Sequence, residues 1–310
     1  MSRLYSFVLP AYKARFFREA VDSILAQTYR NFELIIVNDA SPEDLDSIVM
    51  SYDDPRIKYY VNKENVGGKD LISQWNNSIT FANGEYLILA SDDDVYHTEY
   101  LAKMDTLVEK YPEVNLLRPR TQHIDSRGRI IEVNGWLAEM SSPLEFAYFK
   151  NRAGKGLQFY VFKRKVLMDI GGFINYPLAW YSDDATLIRM SSNGVAFYDE
   201  ILFSFRFSGE SISTKCDNSS SLRLKLIATI AYHRDLPKLI NDLVEWDTID
   251  QWYRKTILSN IKRITKFELR YWVSCSTKMA VIRCMPLLIR TKIFSISEII
   301  RIFVRNVILG

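Results

Sequence analysis

Within the first ninety-odd residues, three short runs are almost wholly apolar and each stops in polar or acidic residues. They are YSFVLPAY (5–12), NFELIIVNDAS (31–41) and GEYLILASDDD (84–94), with RIKYYVN (56–62) as a shorter companion. A half-exposed strand alternates; a run apolar at both parities must be buried on both faces, the condition of a parallel strand covered by helices. Between these runs, ARFFREAVDSILAQ (14–27) sets Phe17, Ala20, Val21, Ile24 and Leu25 on one helical face. NVGGKDLISQWNNSITFA (65–82) reads as a glycine-containing turn feeding a helix, and YLAKMDTLVEKYP (100–112) as another helix. This succession predicts an α/β fold with a doubly wound sheet. Ligands of such sheets bind outside the carboxyl ends of the strands, here Pro10-Ala11-Tyr12, Asn38-Asp39 and Ser91 to Asp94.

The middle of the chain is less regular. Residues 115–132 suggest a hairpin around Ser126-Arg127-Gly128, and 157–173 a strand and short helix closed by a glycine pair. AWYSDDATLIRMSSNG (179–194) carries a second acidic pair at the mouth of a helix, and 195–213 is strand-rich with a polar end. From 222 onward only helices are expected: 222–234, another near 238–245, then a basic tail broken or kinked at Pro286. At 310 residues the chain can form one large domain with an appendage. The expected division is an α/β domain over 1–215, in two halves 1–98 and 99–215, and a helical extension over 216–310. Cys216, Cys275 and Cys284 have no metal-type spacing and their odd number suggests no disulfide framework. MSR leads straight into an apolar strand, without the pattern of a signal peptide, and no apolar run reaches the ~18 residues a membrane span needs. A cytoplasmic location is therefore expected.

Neither a dinucleotide fingerprint nor a P-loop is present, and His97, His123 and His233 are scattered. Carboxylates are the dense chemical resource. A hard cation such as Mg²⁺ or Mn²⁺ takes carboxylate oxygens and leaves positions for phosphate, which Asp92, Asp93 and Asp94 suit. At most two of the three are expected to reach one ion. Asp183-Asp184 reads either as a helix cap, with Ser182 or Asp183 capping, or as a general base directed at an alcohol.

These segments resemble the inverting nucleotide-sugar glycosyltransferases of family 2, which have the GT-A fold, and in particular those that build bacterial capsule, lipopolysaccharide and O-antigen units. The resemblance rests on residues 7–41, NVGG, ANGEYLILASDDDVYH, Ile170-Gly171-Gly172-Phe173 and SDDATLIR. It implies a mainly parallel mixed sheet flanked by helices, and a UDP-sugar or similar donor with its nucleoside against Pro10, Ala11 and Tyr12. Asp39 would accept from the N3–H of uracil or thymine, and Asn65 and Lys69 would stand near the nucleotide. Asp92, Asp93 and Asp94 would serve Mn²⁺ or Mg²⁺ and the diphosphate, and Asp183 or Asp184 would be the base. Counting back from Arg189 favours Asp183; reading the pair as a unit favours Asp184. There are two departures. Ser91 stands where D-x-D-D would have an aspartate, and Ser208 where an Arg-x-His element would have histidine, which implies either a modest metal affinity or diphosphate contact passing to Arg206.

The charge is uneven. Residues 254–310 carry twelve Lys and Arg against Glu268 and Glu298, a net +10, which leaves −7 for the first 253 residues of a chain whose total is +3. Leu258, Ile261, Ile264 and Phe267 recur at near-helical spacing among Lys262, Arg263, Lys266 and Arg270. A cationic amphipathic helix suits a peripheral site on the cytoplasmic membrane and hence a polyprenyl-linked glycan acceptor. The plainer expectation is that these helices pack on the catalytic domain or in a homodimer. Nucleic-acid binding through the tail is opposed by the acidic remainder, so no nucleic-acid partner is expected. A metal-dependent nucleotidyltransferase would need a glycine-rich loop after the first strand, and PAYKARFF has no glycine.

Overall fold

A computed structural model describes residues 2–150, 154, 156–207, 219–244 and 251–309. The chain opens with β1 (Tyr5–Ala11), α1 (Phe17–Leu25), β2 (Phe32–Asn38), α2 (Leu45–Met50), β3 (Ile57–Val61), α3 (Leu71–Ser78) and β4 (Tyr86–Leu89). These strands stand in the order β3-β2-β1-β4, all parallel. β1, β2 and β4 are apolar at both parities because helices cover both of their faces; Phe7, Val8, Ile35, Ile36, Leu87 and Ile88 are fully enclosed. The polar exceptions are paired. Ser6 donates to Glu33 at 2.6 Å, and Glu33 also takes Lys58 Nζ at 2.5 Å and the Asn83 amide at 2.6 Å.

The second half adds β5 (Val95–Tyr96), α4 (Tyr100–Lys110), β6 (Leu116–Asp125), β7 (Ile130–Val133), β8 (Met140–Ser141), α5 (Pro143–Phe149), β9 (Val161–Lys163), α6 (Arg164–Asp169), α7 (Ser182–Met190) and β10 (Val195–Phe207). The sheet continues β4-β9-β6-β10-β5. β9 is antiparallel to both its neighbours, so β6 and β10 run with β4 and their carboxyl ends share its edge. One core spans both halves. The expected hairpin is present, with Gly128 at φ 76° in its turn and the Asp125 amide bonded to the Arg129 carbonyl.

The extension consists of α8 (Ser219–Asn241), α9 (Gln251–Ser274), α10 (Lys278–Arg290) and α11 (Ile296–Phe303). Two sequence expectations are corrected here. α8 is one helix that runs through Pro237, and α10 runs through Pro286. A proline removes one helical hydrogen bond, and burial of Leu236, Ile240, Cys284 and Leu288 against neighbouring elements offsets that loss. The inward face of α9 is Ile257, Ile261, Thr265 and Leu269, while Phe267 is 76% exposed. The extension packs on the α/β domain: Ala228, Tyr232, Leu236 and Ile261 share a core with Leu144, Tyr176, Tyr181, Ala185 and Ile188. Ser208 and the 215/216 boundary lie outside the described residues.

Candidate active site

In the order β3-β2-β1-β4 the connections leave β1 toward β2 on one side, and β4 joins on the other, so the crevice of a doubly wound sheet falls between the carboxyl ends of β1 and β4. Asp92 closes that crevice. Its Oδ2 accepts the backbone N–H of Tyr12 at 2.9 Å and of Lys13 at 2.8 Å, tying the loop after β4 to the loop after β1. Tyr12 leaves its own side chain 41% exposed at this edge.

Asp39 makes the corresponding tie from β2. Its Oδ1 accepts Asn62 Nδ2 at 2.7 Å and the Val66 amide at 2.9 Å, and its Oδ2 accepts the Gly67 amide at 2.7 Å. Its own N–H donates to the Ala11 carbonyl at 2.9 Å, so it also sits against the end of β1. Asn65 shapes the turn, donating to the Asp39 carbonyl at 3.1 Å and accepting the Gly68 amide at 2.6 Å. The turn is tight: a Cβ on Gly68 would lie 2.1 Å from Asn65 Oδ1 and would displace that side chain. Lys69 points outward in an exposed ion pair with Glu64 at 2.6 Å.

The three consecutive aspartates have three different environments. Asp92 is spent on backbone amides, and its burial raises its pKa. Asp94 is fully enclosed and accepts the Arg206 amide at 2.9 Å; burial, then the charge of Asp93, push its pKa up to about 8. Ser91 Oγ lies 2.8 Å from both Asp93 and Asp94 but has one proton to give. Asp93 is the member that is partly exposed.

Among the described residues, no three His, Cys, Asp or Glu side chains stand together as a metal site. Asp92 is committed to the Tyr12 and Lys13 amides through Oδ2, and Asp94 to the Arg206 amide through Oδ1, so the three carboxylates do not converge as one ready-made ligand set. Asp93 is the carboxylate of the three whose partial exposure would let it meet an ion that takes its remaining oxygens from phosphate and water. Arg206 also differs from expectation. It is 2% exposed, with Nε on the Asp93 carbonyl at 2.8 Å, a terminal nitrogen on Glu19 at 2.7 Å, and its guanidinium 4.4 Å from the Phe16 ring centroid. It pins β10 to the acidic turn and to α1 from inside the fold.

α7 brings up the second acidic pair. Asp183 and Asp184 lie in its first turn, where the helix dipole favours negative charge. Neither Ser182 nor Asp183 is the cap, as the sequence suggested: the cap position is Tyr181, in the left-handed region at φ 65°, and Ser182 Oγ instead accepts the Tyr176 amide at 3.0 Å. Asp184 is ion-paired to Lys150, itself 4% exposed. That partner was not legible in the sequence, since nothing marks a lysine at the end of α5 as facing α7. The charge of Asp183 raises the pKa of Tyr160, behind burial as the main cause. Tyr160 directly precedes β9, whose register against β4 (Tyr86 with Lys163, Leu87 with Phe162) sets it at the level of Leu89, at the carboxyl end of β4.

The profile of glycosyl transferase family 2 matches residues 6–173. An uncharacterised glycosyltransferase of Rickettsia typhi is 38% identical over 110 residues, 35% of this chain and 33% of that protein. Glycosyltransferase GlyG of Streptococcus pneumoniae is 36% identical over 98 residues, 31% of this chain and 32% of that protein. The chain thus spans about a third of the length of these curated relatives. Among solved structures, S. aureus TarS 1–349 in complex with UDP-GlcNAc superposes with a TM-score of 0.58 at 14% identity, over 98% of this chain and 89% of that one. Mannosyltransferase PcManGT from Pyrobaculum calidifontis, in complex with GDP-Man and Mn²⁺, gives 0.56 at 15% identity, over 91% and 74%. At such identities the likeness shows the fold, an α/β architecture of GT-A type. Because the matched stretch begins in β1, ends just after α6 and covers more than half of the sequence, the chain belongs to glycosyl transferase family 2.

Proposed function

We propose that the protein transfers a sugar from a nucleoside-diphosphate sugar, most simply a UDP-sugar, to a hydroxyl of a glycan or polyprenyl-linked glycan in bacterial surface polysaccharide synthesis, with inversion. The observation that carries this reading is the tying of three strand ends into one crevice, by Asp92 to Tyr12 and Lys13 and by Asp39 to Val66 and Gly67. Asp39 still has room for the base: a carboxylate accepts about four hydrogen bonds, and Oδ2 accepts from the Gly67 amide where Oδ1 accepts from both Asn62 and Val66. The exposed Tyr12 side chain suits a nucleoside face. Asp93 would hold Mn²⁺ or Mg²⁺, which when bound stabilises the charge of the leaving diphosphate.

Asp183 is the base in this reading. It takes the proton of the acceptor hydroxyl as that oxygen bonds to the anomeric carbon, while the bond to the diphosphate breaks on the opposite side. One displacement inverts the configuration, as it does in glycoside hydrolysis. Asp184 is favoured less because Lys150 already neutralises it.

The test is UDP release from a panel of nucleoside-diphosphate sugars with Mn²⁺, Mg²⁺ or EDTA. One donor should be turned over, with loss in EDTA and in Asp93→Asn, and Asp183→Asn should bind that donor without transferring. Binding of no nucleotide sugar under any metal condition would overturn the reading.

A peripheral place on the cytoplasmic leaflet belongs to the same proposal. No helix among the described residues is long and apolar enough to cross a membrane. The outer side of α10 and α11 exposes Met279, Ile282, Ile289, Ile296 and Ile300 beside exposed Arg283, Arg290 and Arg301. Co-flotation with phosphatidylglycerol vesicles but not with phosphatidylcholine vesicles is expected; indifference to both would remove the membrane from the proposal.

A further inference from the structure

The loop that delivers α7 is strained. Leu178, Ala179 and Tyr181 have φ of 59°, 55° and 65°, a region that side chains with a Cβ seldom occupy. Backbone of this kind persists where the surroundings over-determine it, and here most of the surroundings come from the C-terminal helices. The Tyr181 hydroxyl donates to Glu268 of α9 at 2.9 Å, and its ring stacks on Tyr232 of α8 with centroids 4.8 Å apart and planes 10° from parallel. Trp180 meets Trp272 edge-on at 5.3 Å, and the buried Lys225 ammonium lies over both indoles. Upstream, the Tyr176 hydroxyl donates to Asp235 of α8 at 3.0 Å. A small cavity lined by Tyr181, Asp184, Tyr232, Thr265 and Glu268 joins the start of α7 to α9 directly.

We propose that the C-terminal helices are a working part of the transfer site, and that Glu268, by holding the Tyr181 hydroxyl, fixes the left-handed turn from which α7 starts and so the position of Asp183. Glu268 is a positioning residue: it acts through Tyr181, two residues before the base. The inference rests on the reading of Asp183 as that base. Donor binding depends on the ends of β1, β2 and β4, which these contacts do not touch, so loss of the clamp acts on turnover and spares donor affinity.

The experiment measures kcat and donor KM of the full chain, with the donor the panel identifies, in Tyr181→Phe, Glu268→Leu, Glu268→Gln and the double variant Tyr181→Phe/Glu268→Leu. Tyr181→Phe and Glu268→Leu should each lower kcat by about 10- to 100-fold, the scale of a base displaced by about an ångström, with donor KM within about twofold. Glu268→Gln should stay within about threefold of wild type, because its amide oxygen still accepts the tyrosine proton. The double variant should be no worse than the worse single one, as expected for two halves of one contact. Unchanged kcat in Tyr181→Phe and Glu268→Leu, or equal loss in kcat and donor affinity, overturns the proposal; thermal melting confirms that the proteins compared are folded. Asp183→Asn separates the two ideas. If it still transfers, the base assignment fails; if it is dead while the clamp variants run at full speed, only the positioning role fails.

Discussion

Asp92→Ala removes the acceptor of two amides, Tyr12 and Lys13, at a position 8% exposed. A buried amide left without a partner costs about 1–3 kcal/mol. Both contacts are only partly buried, which brings the pair to about 3 kcal/mol. For a chain of this size about 1 kcal/mol moves Tm by roughly 2 °C, so a fall of about 6 °C is expected. Asp92→Asn behaves differently. Its carbonyl oxygen has two lone pairs and keeps both amides, losing charge assistance worth about 1 kcal/mol and hence about 2 °C. Asp93→Asn, at a partly exposed position, should leave Tm within about 1 °C and abolish the metal stimulation of UDP release. Differential scanning fluorimetry and UDP titration with and without Mn²⁺ read all three variants. An unchanged Tm in Asp92→Ala would refute the assignment of Asp92 as the tie between β1 and β4. So would Asp92→Asn and Asp93→Asn behaving alike in both assays, since three equivalent metal ligands would give that pattern.

Other consequences follow from single contacts. Gly68→Ala places a Cβ 2.1 Å from Asn65 Oδ1, and the disturbed turn should weaken UDP binding by about tenfold, about 1.4 kcal/mol, in a calorimetric titration; wild-type affinity would show that the turn does not shape the nucleotide site. Lys150→Met strands Asp184 and should destabilise by about 3–5 kcal/mol, with Lys150→Met/Asp184→Leu recovering most of it in urea unfolding; no recovery would mean the pair is not the cause. His233 Nε2 lies 3.0 Å from Thr265 Oγ1 between α8 and α9, and burial lowers its pKa from 6.5 to about 4. The folded state resists protonation, so this contribution is complete above pH 6.5 and is lost as pH falls toward 4, about 3 kcal/mol at most. His233→Gln should flatten the stability profile relative to wild type across that window, and parallel profiles would refute the effect.

The parallel half of the sheet was legible because a strand buried on both faces leaves a mark in its own residues: FVL, LIIV and LIL need no partner to be recognised. The chemistry at their ends was legible as residue types and much less as roles. That Asp92 serves the backbone at Tyr12, eighty positions earlier, follows from the adjacency of β1 and β4, which local pattern does not encode. Likewise Lys150 reaches Asp184 only because α5 packs beside α7. In the extension, the spacing of Leu258, Ile261, Ile264 and Phe267 marked a helix but only part of its inward side: Ile261 is buried and Leu258 packs beside it, Phe267 is exposed, and the inward stripe also takes in the polar Thr265, which His233 satisfies. Prolines 237 and 286 suggested breaks, but tertiary burial carried α8 and α10 through them. The strain before α7 has no sequence signal at all, because Leu178, Ala179 and Tyr181 are residues that do not favour positive φ.

The most direct test of sugar transfer by single displacement follows the anomeric carbon itself. Once the panel has given a donor, its slow enzymatic hydrolysis can be monitored by proton NMR, reading the anomeric coupling of the released sugar before mutarotation sets in. An α-linked donor should release the β-anomer first, and Asp183→Asn should release neither at an appreciable rate. First appearance of the α-anomer would contradict the single displacement and require a second nucleophile in the site.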